Sequence, residues 1–161
     1  TSSLIENDLE DFQKVMELNT WSAIELTKSI LPKMIHSKWG RIINIASIYG
    51  REYGGSAPYM AAKAALIAAT KHTALDIAKT GVTANCIAPG SIKHAKGSWE
   101  KFVLNNSKKD VETFIQNNLP MGKFGFPEAI GDTVSFLASK NASMILGTCL
   151  NVDGGQSSNL F

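Results

Sequence analysis

Arg41-Ile42-Ile43-Asn44-Ile45-Ala46, closed by Ser47, is the stretch that decides the fold. It is short, rich in β-branched residues and mostly apolar, without the strict alternation of a half-buried strand. It reads as a strand buried on both faces, and such strands belong to parallel sheets covered by helices. Parallel strands need long crossovers, usually helical, and the flanking sequence supplies them.

Upstream, Asp8 suits a helix N-cap, with Asp11 three residues later. Phe12, Val15, Met16, Ile24, Leu31, Met34 and Ile35 recur close to helical period. One long helix is therefore expected over about 8–36, kinked near its end by Pro32. Downstream, Gly50, Gly54 and Gly55 mark a loop. A second long helix is expected over about 58–79, with Pro58 in its first turn and Gly81 just beyond its end. A second strand follows at 82–88 and is stopped by Pro89-Gly90. Residues 91–126 read as an irregular, solvated excursion with helical pieces around 98–105 and 108–118. Pro127 opens a helix to about residue 139, and a last strand spans 147–152. Strands separated by helices give one α/β domain over 1–161, with about three parallel strands and right-handed crossovers. Sites in such sheets lie beyond the carboxyl ends of the strands. Ser47 and Pro89-Gly90 both fall at that edge.

Composition narrows the function classes. The chain has 161 residues, is 44% hydrophobic and carries a net charge of +2. Its Lys and Arg residues are scattered, which argues against nucleic-acid binding. No apolar stretch is long enough to span a bilayer, so no membrane role is expected. Cys86 and Cys149 each sit in apolar runs and read as buried, reduced thiols, consistent with a cytoplasmic protein. His36, His72 and His94 lack zinc-ligand spacing, so no metal site is expected. The chain opens Thr1-Ser2-Ser3-Leu4 without an initiator Met, which points to a processed or truncated product.

Tyr59 and Lys63 are four apart near the start of a helix, hence one turn apart on one face. A phenol is ordinarily a poor base, but a neighbouring ammonium favours the phenolate. Such a pair can give and take protons near neutral pH. Tyr-x-x-x-Lys spacing also arises in ordinary helices, where the pair is only surface furniture. Ser47, directly after the first strand, can hydrogen-bond a carbonyl or alkoxide oxygen; its structural alternative is a turn or cap. Asn19 lies inside the first helix, where Asn is a mediocre helix former. Its amide can hold a water or bend the backbone, or simply face solvent.

Five segments together resemble the short-chain dehydrogenase/reductase family. They are Gly40-Arg41-Ile42-Ile43-Asn44-Ile45-Ala46-Ser47, Tyr59-Met60-Ala61-Ala62-Lys63-Ala64-Ala65, Asn85-Cys86-Ile87-Ala88-Pro89-Gly90, the late loop Pro120 to Glu128, and Asn151-Val152-Asp153-Gly154-Gly155. They stand in family order, at near-family spacing, across essentially the whole chain. The general look is that of 3-oxoacyl-carrier-protein reductases or sugar-alcohol dehydrogenases. The resemblance implies part of a doubly wound, Rossmann-type sheet whose N-terminal strands lie outside this chain. It implies an oxidoreductase that moves a hydride between NAD or NADP and a carbonyl/hydroxyl substrate through an Asn-Ser-Tyr-Lys tetrad. Tyr59 would exchange the proton with the substrate oxygen, and Ser47 would orient and polarise that oxygen. Lys63 would favour the phenolate and hold the nicotinamide ribose, and Asn19 would anchor a relay water. Pro89 and Gly90 would lie beside the nicotinamide, and Ile92 would offer its backbone to the carboxamide. A homodimer or homotetramer is implied as well.

Departures from the family pattern are specific. The glycine-rich phosphate turn expected on the first strand–turn–helix unit does not occur in these residues. The residue that would select NAD or NADP is absent with it. His94 stands where relatives often carry Thr. Strand 41–46 would present an unpaired apolar edge unless further strands or another chain covered it. The competing reading is a truncated, catalytically silent module that associates through its helices and last strand. A serine hydrolase built on Ser47 is disfavoured, because a nucleophile elbow needs glycines where Ile45 and Tyr49 stand.

Overall fold

Asp8 starts the first helix, α1 (Leu9–Met16), through a reciprocal cap. Its carboxylate accepts from the Asp11 N–H at 2.9 Å, and the Asp11 carboxylate accepts from the Asp8 N–H at 3.3 Å. Two N–H groups that no helical carbonyl can reach are thereby satisfied. In the computed structural model, which describes residues 3–160, the helix does not run on unbroken. A π turn, Glu17–Trp21, separates α1 from α2 (Ser22–His36). Such insertions into helices are frequent at functional sites. The fully buried Thr20 pins this one, its hydroxyl donating to the Ala62 carbonyl at 2.8 Å. Pro32 lies within α2, which continues past it to His36.

The remaining elements are β1 (Gly40–Ile45), α3 (Ala57–Asp76), β2 (Val82–Pro89), α4 (Ser98–Asn105), α5 (Lys108–Asn118), α6 (Pro127–Ala138) and β3 (Cys149–Val152). The strands form a parallel sheet in the order β1-β2-β3, with Gly40 opposite Val82 and Cys86 opposite Cys149. Side chains alternate across it. Ile42, Val82 and Ala84 pack on one face against Ala74 and Ile77, with Leu31 and Met34 at the margin. Ile87 packs on the other against Leu137 and Ala142, joined by Ile43, Ile130 and Val134. Asn85 looks polar for a strand interior but is fully engaged. Its amide donates to the Ile145 carbonyl at 2.9 Å, and its oxygen accepts from the Thr148 N–H at 3.0 Å, which guides the chain into β3.

Three expectations are corrected. The strand buried on both faces is β2, buried from Val82 to Ala88, whereas β1 is half-buried and its Ile45 is 42% exposed. The cause is position: β2 is central, and β1 has a strand neighbour on one side only. Next, α3 closes at Asp76 rather than near residue 79. The Thr80 hydroxyl and N–H both bond to the Ile77 carbonyl, forming a turn that competes with another helical turn. Gly81 then reverses the chain with φ +84°, where a side chain would collide with the Lys38 carbonyl. Finally, both cysteines are free thiols and Cys86 is buried, but Cys149 is only half-buried. Among the described residues, no helix is long and apolar enough to cross a membrane.

Candidate active site

The carboxyl ends of β1 and β2 open onto a cleft of about 580 Å³. Ser47 enters it directly after β1. It caps the short 3-10 turn Ile48–Gly50, its hydroxyl accepting from the Tyr49 N–H at 3.2 Å. The cap read for Ser47 in the sequence is thus present, and the residue also lines the cleft. Tyr59 sits in the first turn of α3, which Ser56 caps by accepting from the Tyr59 N–H at 3.4 Å. Lys63 follows one turn later, with Nζ 5.6 Å from the Tyr59 ring centroid. Lys63 as a whole is 9% exposed, and its ammonium donates to the Ile45 carbonyl at 2.9 Å. Burial pushes it below the ordinary lysine value.

Pro89, Gly90 and Ile92 form the facing wall. The Ile92 N–H donates to the Gly90 carbonyl at 3.0 Å, so a tight turn holds this wall in place. A bridge between Ile92 and Gly125 ties the same segment to the late loop. Six of the seven expected site residues thus meet around one cleft: Ser47, Tyr59, Lys63, Pro89, Gly90 and Ile92. Asn19 does not line it. Its amide donates to the Val15 carbonyl at 3.0 Å from within the π turn, whose next residue, Thr20, contacts Ala62 beside Lys63.

The cleft also has walls that sequence reasoning did not assign. Ser98 and Trp99, at the start of α4, line it together with Pro127 and Ile130. His94 lines it too, with Nδ1 3.0 Å from the Ala95 carbonyl. A second cavity of about 400 Å³ shares Ser47, Tyr59, Gly90, Ser98 and Trp99 with the cleft and adds Tyr49, Gly55 and Phe102. The Tyr49 phenol is pushed above the ordinary tyrosine range by burial first, then by the nearby Glu52 and Tyr59. The signal for these walls was only the aromatic spacing of Trp99 and Phe102, which equally suits an ordinary helix face. Among the described residues, no group of three or more His, Cys, Asp or Glu side chains is placed to hold a metal ion.

A parallel sheet carrying a Ser, a Tyr and a buried Lys at its carboxyl edge has clear relatives. The family described as enoyl-(acyl carrier protein) reductase matches residues 1–157. The chain belongs to the short-chain dehydrogenase/reductase family. Within it, similarity runs to the 3-oxoacyl-(acyl-carrier-protein) reductase FabG of Rickettsia bellii, 42% identical over 147 residues, covering 91% of this chain and 58% of that protein. Nodulation protein G of Azospirillum brasilense is 38% identical over 149 residues, covering 92% and 58% respectively. The chain thus spans 58% of the length of these curated relatives. Among solved structures, YwfH, an NADPH-dependent reductase involved in bacilysin biosynthesis, superposes with a TM-score of 0.90 at 29% identity. That match covers 99% of this chain and 63% of YwfH. A 4-hydroxyisoleucine dehydrogenase complexed with NADH gives 0.84 at 27% identity, covering 98% and 64%.

Proposed function

We propose that this chain is the catalytic portion of an NAD(P)-dependent oxidoreductase acting on a carbonyl/hydroxyl pair. The observation that carries the reading is the convergence of Ser47, Tyr59 and Lys63 on one cleft, opposite Pro89 and Gly90. The cleft fits a nicotinamide cofactor on its own chemistry. It is open, it has a partly apolar wall in Pro89 and Ile92, and it holds one buried cation able to donate to ribose hydroxyls. Tyr59, Lys63, Pro89, Gly90 and the Ile92 backbone are the residues that would hold it. The Ile92 N–H is already committed to Gly90, which leaves its carbonyl to accept from a carboxamide. When bound, the cofactor supplies or accepts the hydride.

The chain's own residues handle the substrate oxygen and its proton. Tyr59 donates the phenolic proton to that oxygen in reduction and takes it back in oxidation. Lys63 lends positive charge that favours the phenolate between those steps. Ser47 donates a hydrogen bond to the same oxygen and so stabilises charge developing there. Asn19 acts one layer back, at the π turn, where its side-chain oxygen can accept from a water relaying protons to Lys63. Working as a homodimer or homotetramer belongs to the same proposal.

Fluorescence titration of the full natural chain with NADH and NADPH tests the reading, alongside an intact mass of that chain. Saturable binding of either dinucleotide, with ketone-dependent oxidation of it, is the expected result. No binding by the natural chain would leave the competing reading, a silent module that acts through association alone.

A further inference from the structure

We infer that the substrate is an uncharged ketone or secondary alcohol carrying an aromatic ring, seated in the cavity that Trp99, Phe102 and Tyr49 wall beside Ser47 and Tyr59. The inference rests on the oxidoreductase reading and names the substrate class of that same site.

Three observations carry it. The first is placement. Among the described residues, Ser47 and Tyr59 are the only hydroxyl side chains besides Ser98 that line both the 580 Å³ cleft and the 400 Å³ cavity. A molecule filling the smaller space puts its reacting oxygen at their hydroxyls while leaving the Lys63 side open. The volume lies within the roughly 300–1,000 Å³ of small-molecule sites.

The second is the nature of the wall. Trp99 is not a loose surface ring: Phe114 lies 4.9 Å from it, Phe124 5.4 Å and Phe102 5.7 Å, centroid to centroid. Packing on that side fixes the indole, so its exposed part is a preformed apolar surface for another ring. In the same lining, Gly55 has no side chain between the rings of Tyr49 and Tyr59; a Cβ there would lie 3.2 Å and 3.3 Å from them. Four aromatic rings thus line the cavity, a lining suited to a flat occupant.

The third is charge. Among the described residues, those lining this cavity include no charged side chain. Burial first, and then the nearby Glu52 carboxylate, raise the Tyr49 phenol, and that same carboxylate opposes an anion in the cavity. A keto acid or phosphorylated ketone would lose its hydration there and find no cation in this lining in exchange, the nearest, Lys63, lying in the adjoining cleft and donating to Ile45.

Three methyl ketones separate the possibilities: acetophenone, butanone and pyruvate share the reacting group and differ only in ring, short chain or carboxylate. With the full natural chain and reduced cofactor, kcat/KM for acetophenone should exceed that for pyruvate by at least roughly tenfold. Trp99→Ala should raise KM for acetophenone roughly tenfold and leave that for butanone near its original value. Because Trp99 supports its aromatic neighbours, a second variant avoids the packed ring. Ser98 is exposed at the rim, and Ser98→Arg should shift preference toward pyruvate.

Binding is read separately by calorimetry of acetophenone into the chain saturated with oxidised cofactor, where no reduction can occur. Binding that Trp99→Ala weakens, without turnover of any ketone by the reduced complex, would keep the aromatic cavity and remove the oxidoreductase reading. Turnover that favours pyruvate, or losses equal for all three ketones in Trp99→Ala, would overturn the aromatic substrate and leave the oxidoreductase reading standing. Absence of acetophenone binding would overturn it as well.

Discussion

The Lys63 ammonium donates to the carbonyl of Ile45, the last residue of β1, at 2.9 Å. One hydrogen bond thereby fixes α3 to the sheet edge from which Ser47 projects. It also keeps a cation where burial disfavours it. Burial places the Lys63 pKa below its ordinary 10.5. Between that lowered value and 10.5 the unfolded chain binds more protons than the folded one, so stability rises with pH through this window. The penalty is fully present below the window. Lys63→Met removes it, so the variant's stability should climb less than the wild type's as pH rises toward 10.5. Denaturant midpoints at neutral and alkaline pH read this directly. Parallel profiles for the two proteins would show that Lys63 is not desolvated.

Tyr59→Phe keeps the ring packed beside Gly55 and removes only the hydroxyl. Turnover by the full natural chain should fall by about 100-fold or more, the scale of a lost general acid–base group. Dinucleotide affinity should stay within about threefold, since the substitution leaves Lys63 and its proposed ribose contacts in place. The comparison is a steady-state rate against a fluorescence titration on the same preparations. Activity near wild type would remove Tyr59 from the chemistry.

The sequence made the sheet edge legible because strands and turns there have short-range causes. Asp8 with Asp11 encodes a cap, Pro89-Gly90 ends a strand, and Tyr59 with Lys63 on one helix face is a matter of helical period. The α4 and α5 pieces at 98–105 and 108–118 were readable for the same reason. What escaped depends on distant contacts. The π turn at Glu17–Trp21 carries no local breaker; it is held by Thr20 reaching Ala62, 42 residues away. Which strand lies at the centre of the sheet is a property of sheet order, and Arg41 to Ala46 is as apolar as a central strand while standing at an edge. The aromatic wall at Trp99 forms only when Phe114 and Phe124 return to it from later in the chain.

Thr20 offers a test of that long-range pin. Thr20→Val keeps the shape of the buried side chain and removes the hydroxyl that bonds Ala62 at 2.8 Å. The Ala62 carbonyl lies inside α3, where a helical N–H can still serve it, so the cost is one net hydrogen bond, about 1 kcal/mol. The denaturant midpoint should drop accordingly with an unchanged slope. A loss several times larger would mean that the π turn itself reverts to α geometry and drags Asn19 with it. Backbone shifts in an NMR spectrum of residues 17–21 would then move in the variant.

Cys86 and Cys149 lie opposite each other in the parallel register of β2 and β3. Their thiols differ in kind. Cys86 is buried and is pushed far above the ordinary thiol range, by its interaction with the Cys149 thiol first and burial second. Cys149 is lowered by the same interaction, with Arg51 assisting and burial opposing. A thiolate is the nucleophile in alkylation, so Cys149 should react with iodoacetamide at lower pH than Cys86, which stays protected until the chain unfolds. Cys86→Ala removes that interaction, which raises the Cys149 pKa and shifts its alkylation profile to higher pH. Peptide mapping after graded labelling identifies the modified residue at each pH. Faster labelling of Cys86 than of Cys149 would reverse the order of the two thiols, and an unshifted Cys149 profile in Cys86→Ala would show that Arg51 alone sets its reactivity.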